Sequence, residues 1–368
     1  MRHSPAAWFV CLFLVLITAP APGQVHMLAN VDHLNHRLAG QVVDYTHNHG
    51  ADRRIWSNIL GQPRDLYVYL PPGYNPSIAY PFVLYFHMGF VDEHEFIGSN
   101  HLKVLDQMIQ DGQFPAAIVA CPDGTIYGNN RIREPHSFHL NGVQGRVEDH
   151  ILYEVIPFVT GRYQVRPERG AHALMGVSAG GLGALSIAIR HRDYFSAVAT
   201  LASPVNIRYS NVHDDLLEDF RPETFRWKSD YRPDQVAGRF YGGLMRSRVG
   251  KYIEPVFGSN PREVTARASA INPSELIATT NLQPGELAIY LNYGGRDNWN
   301  FDAHAESFAY LARQRGIAVD TECVPNARHT LTYFRRNHPA AYAWLAQHLL
   351  PPVALTTTAP APAGTPTR

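Results

Sequence analysis

The chain has 368 residues, 45% of them hydrophobic and 17% charged, with Lys+Arg 32 against Asp+Glu 32. So high an apolar fraction excludes a disordered chain. Charge neutrality without a basic stripe argues against nucleic acid and against a polybasic membrane-binding surface. Three cysteines exclude a disulfide-built scaffold.

At the N-terminus, Arg2 and His3 precede an apolar run from Ala6 to Thr18 and then Ala19-Pro20-Ala21-Pro22-Gly23. A basic start, a short apolar stretch and small residues describe a secretory signal peptide, with cleavage expected after Gly23. The run is too short for a membrane span, which takes about 20 apolar residues. The expected location is therefore secreted or periplasmic. Removing 1–23 leaves Cys121 and Cys323, each in an expected strand. Export permits a bridge, but the sequence does not place the two side by side.

His47-Asn48-His49 sets two histidines on one side of an extended segment. No third ligand follows at a recognisable spacing, so no metal is assigned. Asp65–Leu70 alternates and ends at Pro71-Pro72-Gly73, which reads as a strand and turn. Continuous apolar runs follow at Phe82–Phe86, Ala116–Cys121, Ala171–Gly176, Ala197–Leu201, Leu287–Asn292 and Ile317–Val324. Runs of this kind suit strands covered on both faces of a mostly parallel sheet. His94, among Asp92, Glu93 and Glu95, lacks the H-E-x-x-H order and reads as a solvated loop. His136, Ser137, Phe138 and His139 read as a loop beside a substrate cleft.

Ile151, Val155, Ile156 and Val159 share a helical face, as do Leu182, Leu185 and Ile189. Phe308, Leu311 and Ala312 lead to Gly316, a helix C-cap. Pro339 suits the first turn of a final helix carrying Tyr342, Leu345 and Leu349, with His338 at its N-terminus. Strand–helix alternation points to one α/β domain over 24–350. Ser203 to Gln283 breaks the rhythm and reads as an inserted, lid-like segment. Its Tyr209, Trp227, Tyr231 and Tyr241 suit either a substrate wall or a small core of the insertion. Pro351 to Arg368 is Pro, Ala and Thr, a disordered tail.

Gly176-Val177-Ser178-Ala179-Gly180 matches G-x-S-x-G between an apolar strand and a helix-forming run. That context is a sharp turn that projects a serine hydroxyl. The Ala179 N–H, at the helix start, suits an oxyanion donor. A serine nucleophile needs a base and an orienting acid. The α/β-hydrolase chain order is serine, acid, histidine. Asp297, just past the strand Leu287–Asn292, is the expected acid, with Asp302 its nearest rival. His329, in the loop beyond Ile317–Val324, is the expected base. No phosphate loop or dinucleotide fingerprint is present in the needed context.

From Asp65 to Leu349 the chain resembles the esterase D family of α/β-hydrolases. That family holds feruloyl and acetylxylan esterases, S-formylglutathione hydrolases and the antigen 85 mycolyltransferases. The resemblance rests on Val68-Tyr69-Leu70-Pro71-Pro72-Gly73-Tyr74, Tyr80–Tyr85, Glu154-Val155-Ile156-Pro157 with Tyr163, Gly176–Gly181 and Asp193–Val198. It implies an α/β-hydrolase fold, with Ser178 as nucleophile, Asp297 as acid and His329 as base. Aligned through Tyr85 and Gly89, it implies Phe90 as the second oxyanion donor, where this chain departs from the family with Met88. It leaves His87 without a role. The expected activity is serine-dependent hydrolysis of carboxylic esters, small or polysaccharide-linked, without a cofactor. Acyl transfer and a non-catalytic binding module are the alternatives.

Overall fold

The computed structural model describes residues 31–48, 51–128 and 134–355. The leader expected over 1–23, His49 and the tail beyond 355 lie outside the described residues.

Eight strands form one sheet: β1 Gln41–Tyr45, β2 Leu66–Leu70, β3 Phe82–Phe86, β4 Ile118–Pro122, β5 His172–Val177, β6 Ala197–Leu201, β7 Ala288–Gly294 and β8 Asp320–Val324. Their spatial order is β1-β2-β4-β3-β5-β6-β7-β8. The β1–β2 and β2–β4 pairs are antiparallel, and every other pair is parallel. The register sets Gly176 opposite Phe86 on one side and Thr200 on the other. The carboxyl ends of β3, β5 and β6 are therefore level. The loops leaving them meet at one edge, where open α/β sheets build their sites.

Every residue of β2 to β6 is buried. Alternate side chains enter two different cores. Phe82, Leu84 and Phe86 face α2 (Ala179–Arg190, below), while Val83 and Tyr85 face the opposite layer. On that opposite face lie α1 (His101–Gln110) and the long C-terminal helix. On the first face lie α2, α3 (Phe301–Arg313) and a helical run over Val147–Thr160 with a π turn at Ile151–Val155. In α2 only Arg190 escapes burial. A helix apolar on all sides belongs inside, and its Gly and Ala residues let it approach the sheet.

Several expectations need correction. The strand read from Ile317 starts at Asp320 and is the exposed sheet edge, with Asp320–Cys323 all exposed. The edge strand β1 has only Val42 buried, so its apolar signal was too weak to read. The final helix, α4, runs over Leu331–Ala346, with Pro339 in its interior and His338 buried mid-helix. Its start is set by Thr330, whose hydroxyl accepts the Tyr333 N–H at 3.2 Å. Pro339 removes one helical donor. In the same turn Asn337 Nδ2 donates to the Tyr333 carbonyl, and His338 Nδ1 bonds the Phe334 carbonyl, both at 2.7 Å. The His338 Nε2 also meets the Tyr85 hydroxyl at 3.0 Å.

The ordered chain continues past 350. Val353–Ala354 pairs antiparallel with Ile78–Ala79, so this stretch is not part of a disordered tail. His94 is buried, not solvated, in a short helix beside Asp92 and Glu93 at 3.2 and 2.8 Å. Burial alone would lower its pKa, but the two carboxylates override that and push it up to about 11. Cys121 and Cys323 are both free thiols. They sit on the third and eighth strands of the sheet. At about 4.8 Å per strand they are far beyond the roughly 7 Å Cα limit of a disulfide.

Segment 203–283 holds two small antiparallel ladders, Tyr209–Asn211 with Phe225–Trp227 and Val236–Phe240 with Met245–Arg248. Helices Gly250–Phe257, Pro261–Ile271 and Pro273–Thr279 follow. Among the described residues no helix is long and apolar enough to cross a membrane.

Candidate active site

Ser178 stands between β5 and α2 with φ 51° and ψ −119°. A positive φ on a non-glycine residue is strained, and neighbouring contacts hold it. Its N–H donates to the Leu201 carbonyl on β6 at 2.8 Å. Gly180 lets the turn close. A Cβ there would sit 2.3 Å from the Phe86 carbonyl oxygen and 2.5 Å from that of His87.

The Ser178 hydroxyl lies 2.9 Å from His329 Nε2, and His329 Nδ1 lies 2.8 Å from Asp297 Oδ2. The Asp297 side chain is fully buried and that of His329 is 12% exposed. The Trp299 N–H donates to the other carboxylate oxygen, Asp297 Oδ1, at 2.8 Å. One oxygen is thus fixed by backbone and the other faces the imidazole. The His329 ring is held edge-on by Phe334 at 5.0 Å and Phe301 at 5.4 Å.

The structure brings together Ser178, His329 and Asp297 and leaves Asp302 out. Asp302 lies in the first turn of α3, and its Oδ1 is buried without a hydrogen-bond partner. Burial and the Asp297 carboxylate push its pKa up to about 7. His304, one turn into α3, is half-buried at the cleft with its Nδ1 enclosed, and desolvation lowers its pKa to about 3.

The loop after β3 abuts the start of α2: a Cβ on Gly89 would lie 3.2 Å from that of Ala179. Phe90 follows with φ 69°, and its N–H has no acceptor among the described residues. The Ala179 N–H is one of the helix-start donors that lack an intrahelical partner. Both residues line the cleft with Ser178. Read from sequence alone, His87 has no part in this arrangement. Its Nε2 accepts the Gly124 N–H at 2.8 Å and its Nδ1 bonds the Met88 carbonyl at 3.0 Å. It ties the loop before Phe90 to the end of β4. Its place directly after an apolar strand was the one signal available.

His87, His136 and His139 cluster within metal-ligand reach of one another. Gly124 stands among them, its N–H on His87 and its Cα against the His139 ring. Both His87 ring nitrogens are engaged by backbone groups. Of the loop expected at the cleft, His136 and Phe138 line it, while Ser137 and His139 lie buried behind.

The cleft has a volume of about 780 Å³. Phe90, Tyr252, Trp299 and Phe301 give it an aromatic wall beside Ser178. Segment 203–283 supplies much of the rest. Tyr209 and Tyr231 line the cleft, whereas Trp227 and Tyr241 do not.

Residues 57–347 match the family model described as "Putative esterase". Three solved structures share the fold. An S-formylglutathione hydrolase from Agrobacterium tumefaciens is 14% identical, with TM-score 0.60, covering 85% of this chain and 96% of its own. A ferulic acid esterase is 18% identical, with TM-score 0.56, covering 84% and 99%. The feruloyl esterase module from Clostridium thermocellum, complexed with sinapinate, is 18% identical, with TM-score 0.51, covering 86% and 92%. With the family model spanning most of its length, the chain belongs to this esterase family and is a carboxylic ester hydrolase of the α/β-hydrolase fold.

Proposed function

We propose that Ser178, His329 and Asp297 act as a catalytic triad on esters with an aromatic or similarly bulky acyl group. The continuous relay from Ser178 Oγ through His329 to Asp297 Oδ2, with contacts of 2.9 and 2.8 Å, carries this reading. Ser178 Oγ attacks the ester carbonyl carbon as His329 Nε2 takes its proton. Asp297 fixes the tautomer and stabilises the imidazolium. The Ala179 and Phe90 N–H groups hold the tetrahedral oxyanion. As the oxyanion collapses, the alcohol leaves with the proton from His329. Water, deprotonated by the same imidazole, then releases the acid and restores Ser178.

The aromatic wall of Phe90, Tyr252 and Trp299 supports an aryl acyl group. So does the likeness to feruloyl esterases, one of them complexed with sinapinate. Polysaccharide-linked esters outside the cell are the natural class for this reading, given the leader-like sequence over 1–23.

A fluorophosphonate probe followed by peptide mapping tests the nucleophile. Modification of Ser178 is expected, and labelling elsewhere, or none, contradicts the proposal. Methyl ferulate against a short-chain alkyl ester tests the acyl class. A higher kcat/KM for the short alkyl ester would remove the aryl part and leave the triad standing.

A further inference from the structure

The hairpin of Val236–Phe240 and Met245–Arg248 rises beside the cleft. The end of its first strand, next to the turn, is tied to the loop that carries Asp297. The Arg239 N–H donates to the Asn298 carbonyl, and Asn298 Nδ2 donates to the Arg239 carbonyl, both at 2.9 Å. The Phe240 ring meets Trp299 edge-on at 5.1 Å.

The tip of the hairpin is poorly suited to water. Tyr241, Leu244 and Met245 at its tip are 68%, 92% and 52% exposed. Three large apolar side chains projecting together from one turn mark a contact surface. Arg239 stands directly opposite Arg246 across the ladder, with Phe240 opposite Met245. Like charges facing each other weaken a ladder. Arg232 of the same segment is paired with Asp214 and Asp230. Arg239 and Arg246 are exposed and have no such carboxylate among the described residues.

An apolar tip with unneutralised arginines just behind it matches the layering of an anionic membrane surface. We propose that this hairpin docks the protein peripherally on an anionic lipid bilayer, with Tyr241, Leu244 and Met245 in the headgroup layer and Arg239 and Arg246 on lipid phosphates. Whole-chain neutrality hides this local asymmetry. Docking brings the cleft rim at Trp299 against the surface. The inference rests on the hairpin alone and is independent of the triad.

The test is co-sedimentation of the full chain with phosphatidylcholine vesicles, with and without phosphatidylglycerol. Binding is expected on the phosphatidylglycerol vesicles and is weakened by salt. Removing both charges with Arg239→Gln and Arg246→Gln should weaken it roughly 25-fold, about five-fold per arginine. Leu244→Ser should weaken it by about ten-fold. Turnover of soluble p-nitrophenyl acetate stays unchanged in both variants, which reports an intact fold. No binding to phosphatidylglycerol vesicles overturns the proposal. So does equal binding to phosphatidylcholine alone, or binding that both variants retain.

Discussion

Gly294, the last residue of β7, packs against Ala327 in the loop that carries His329: a Cβ on Gly294 would lie 2.6 Å from the Ala327 carbonyl oxygen. Two hydrogen bonds close the same seam, Gly295 N–H to the Val324 carbonyl and Arg296 N–H to the Ala327 carbonyl, each at 3.0 Å. The loop holding Asp297 and the loop holding His329 are therefore one unit, and the 2.8 Å contact between the two side chains depends on that seam.

Gly294→Ala should push the loops apart. A misplacement of about 1 Å in a catalytic array costs about 10²-fold in rate. A loss of that size in kcat/KM is expected, with stability lowered by about 1–3 kcal/mol for the overpacked site. Steady-state kinetics together with urea denaturation separate the two effects. Unchanged kinetics would mean that the seam does not position the pair.

Asp297→Asn should reduce kcat by about 10⁴-fold, because an amide no longer holds the imidazole in the tautomer that accepts the serine proton. Asp302→Asn, which removes the nearest rival, should keep turnover near the parent value. Parallel kinetics on the two variants check the assignment, and the reverse pattern would move the acid to Asp302.

The same Asp302 variant carries a pH signature in stability. Burial and the neighbouring Asp297 raise its pKa from 3.8 to about 7 in the folded chain. Its protonated form favours folding fully below the unfolded value, and that contribution is lost as pH rises through the folded one. Asp302→Asn removes the loss. Its melting temperature should gain on the parent's between about pH 4 and pH 7. Thermal melts across that window, showing a constant difference instead, would contradict the raised pKa.

Away from the site, Arg64 and Asp123 form a fully buried ion pair at 2.8 Å. Arg64 also donates to the Asp123 and Thr125 carbonyls. Arg64→Met strands the Asp123 charge and should cost about 3–5 kcal/mol. Chemical denaturation measures it, and a change under about 1 kcal/mol would show that the pocket relaxes or hydrates.

Much of the sheet was legible because its strands are short apolar runs closed by turn residues. Phe82–Phe86 and Ala197–Leu201 match the structure residue for residue. The residues now in the relay were legible as positions, each just past a strand end in a fixed chain order. What failed had specific physical causes. Pro339 is read as a helix start by propensity, but it lies in the interior of the helix, just after side-chain bonds from Asn337 and His338 to the preceding turn. His94 looks solvated among acids, yet those acids are what neutralise it inside. The roles of His87 and of the Trp299 N–H depend on contacts between loops distant in sequence, or on a backbone group, and neither leaves a local pattern. The hairpin arginines cancel in the whole-chain charge and become visible only when the ladder register sets them face to face.

The central claim is that Ser178 is the attacking group. Ser178→Ala tests it most directly, by turnover of p-nitrophenyl acetate with circular dichroism as a control for folding. A loss of kcat of at least about 10³-fold in a folded protein is expected. Turnover at the parent rate would contradict the account.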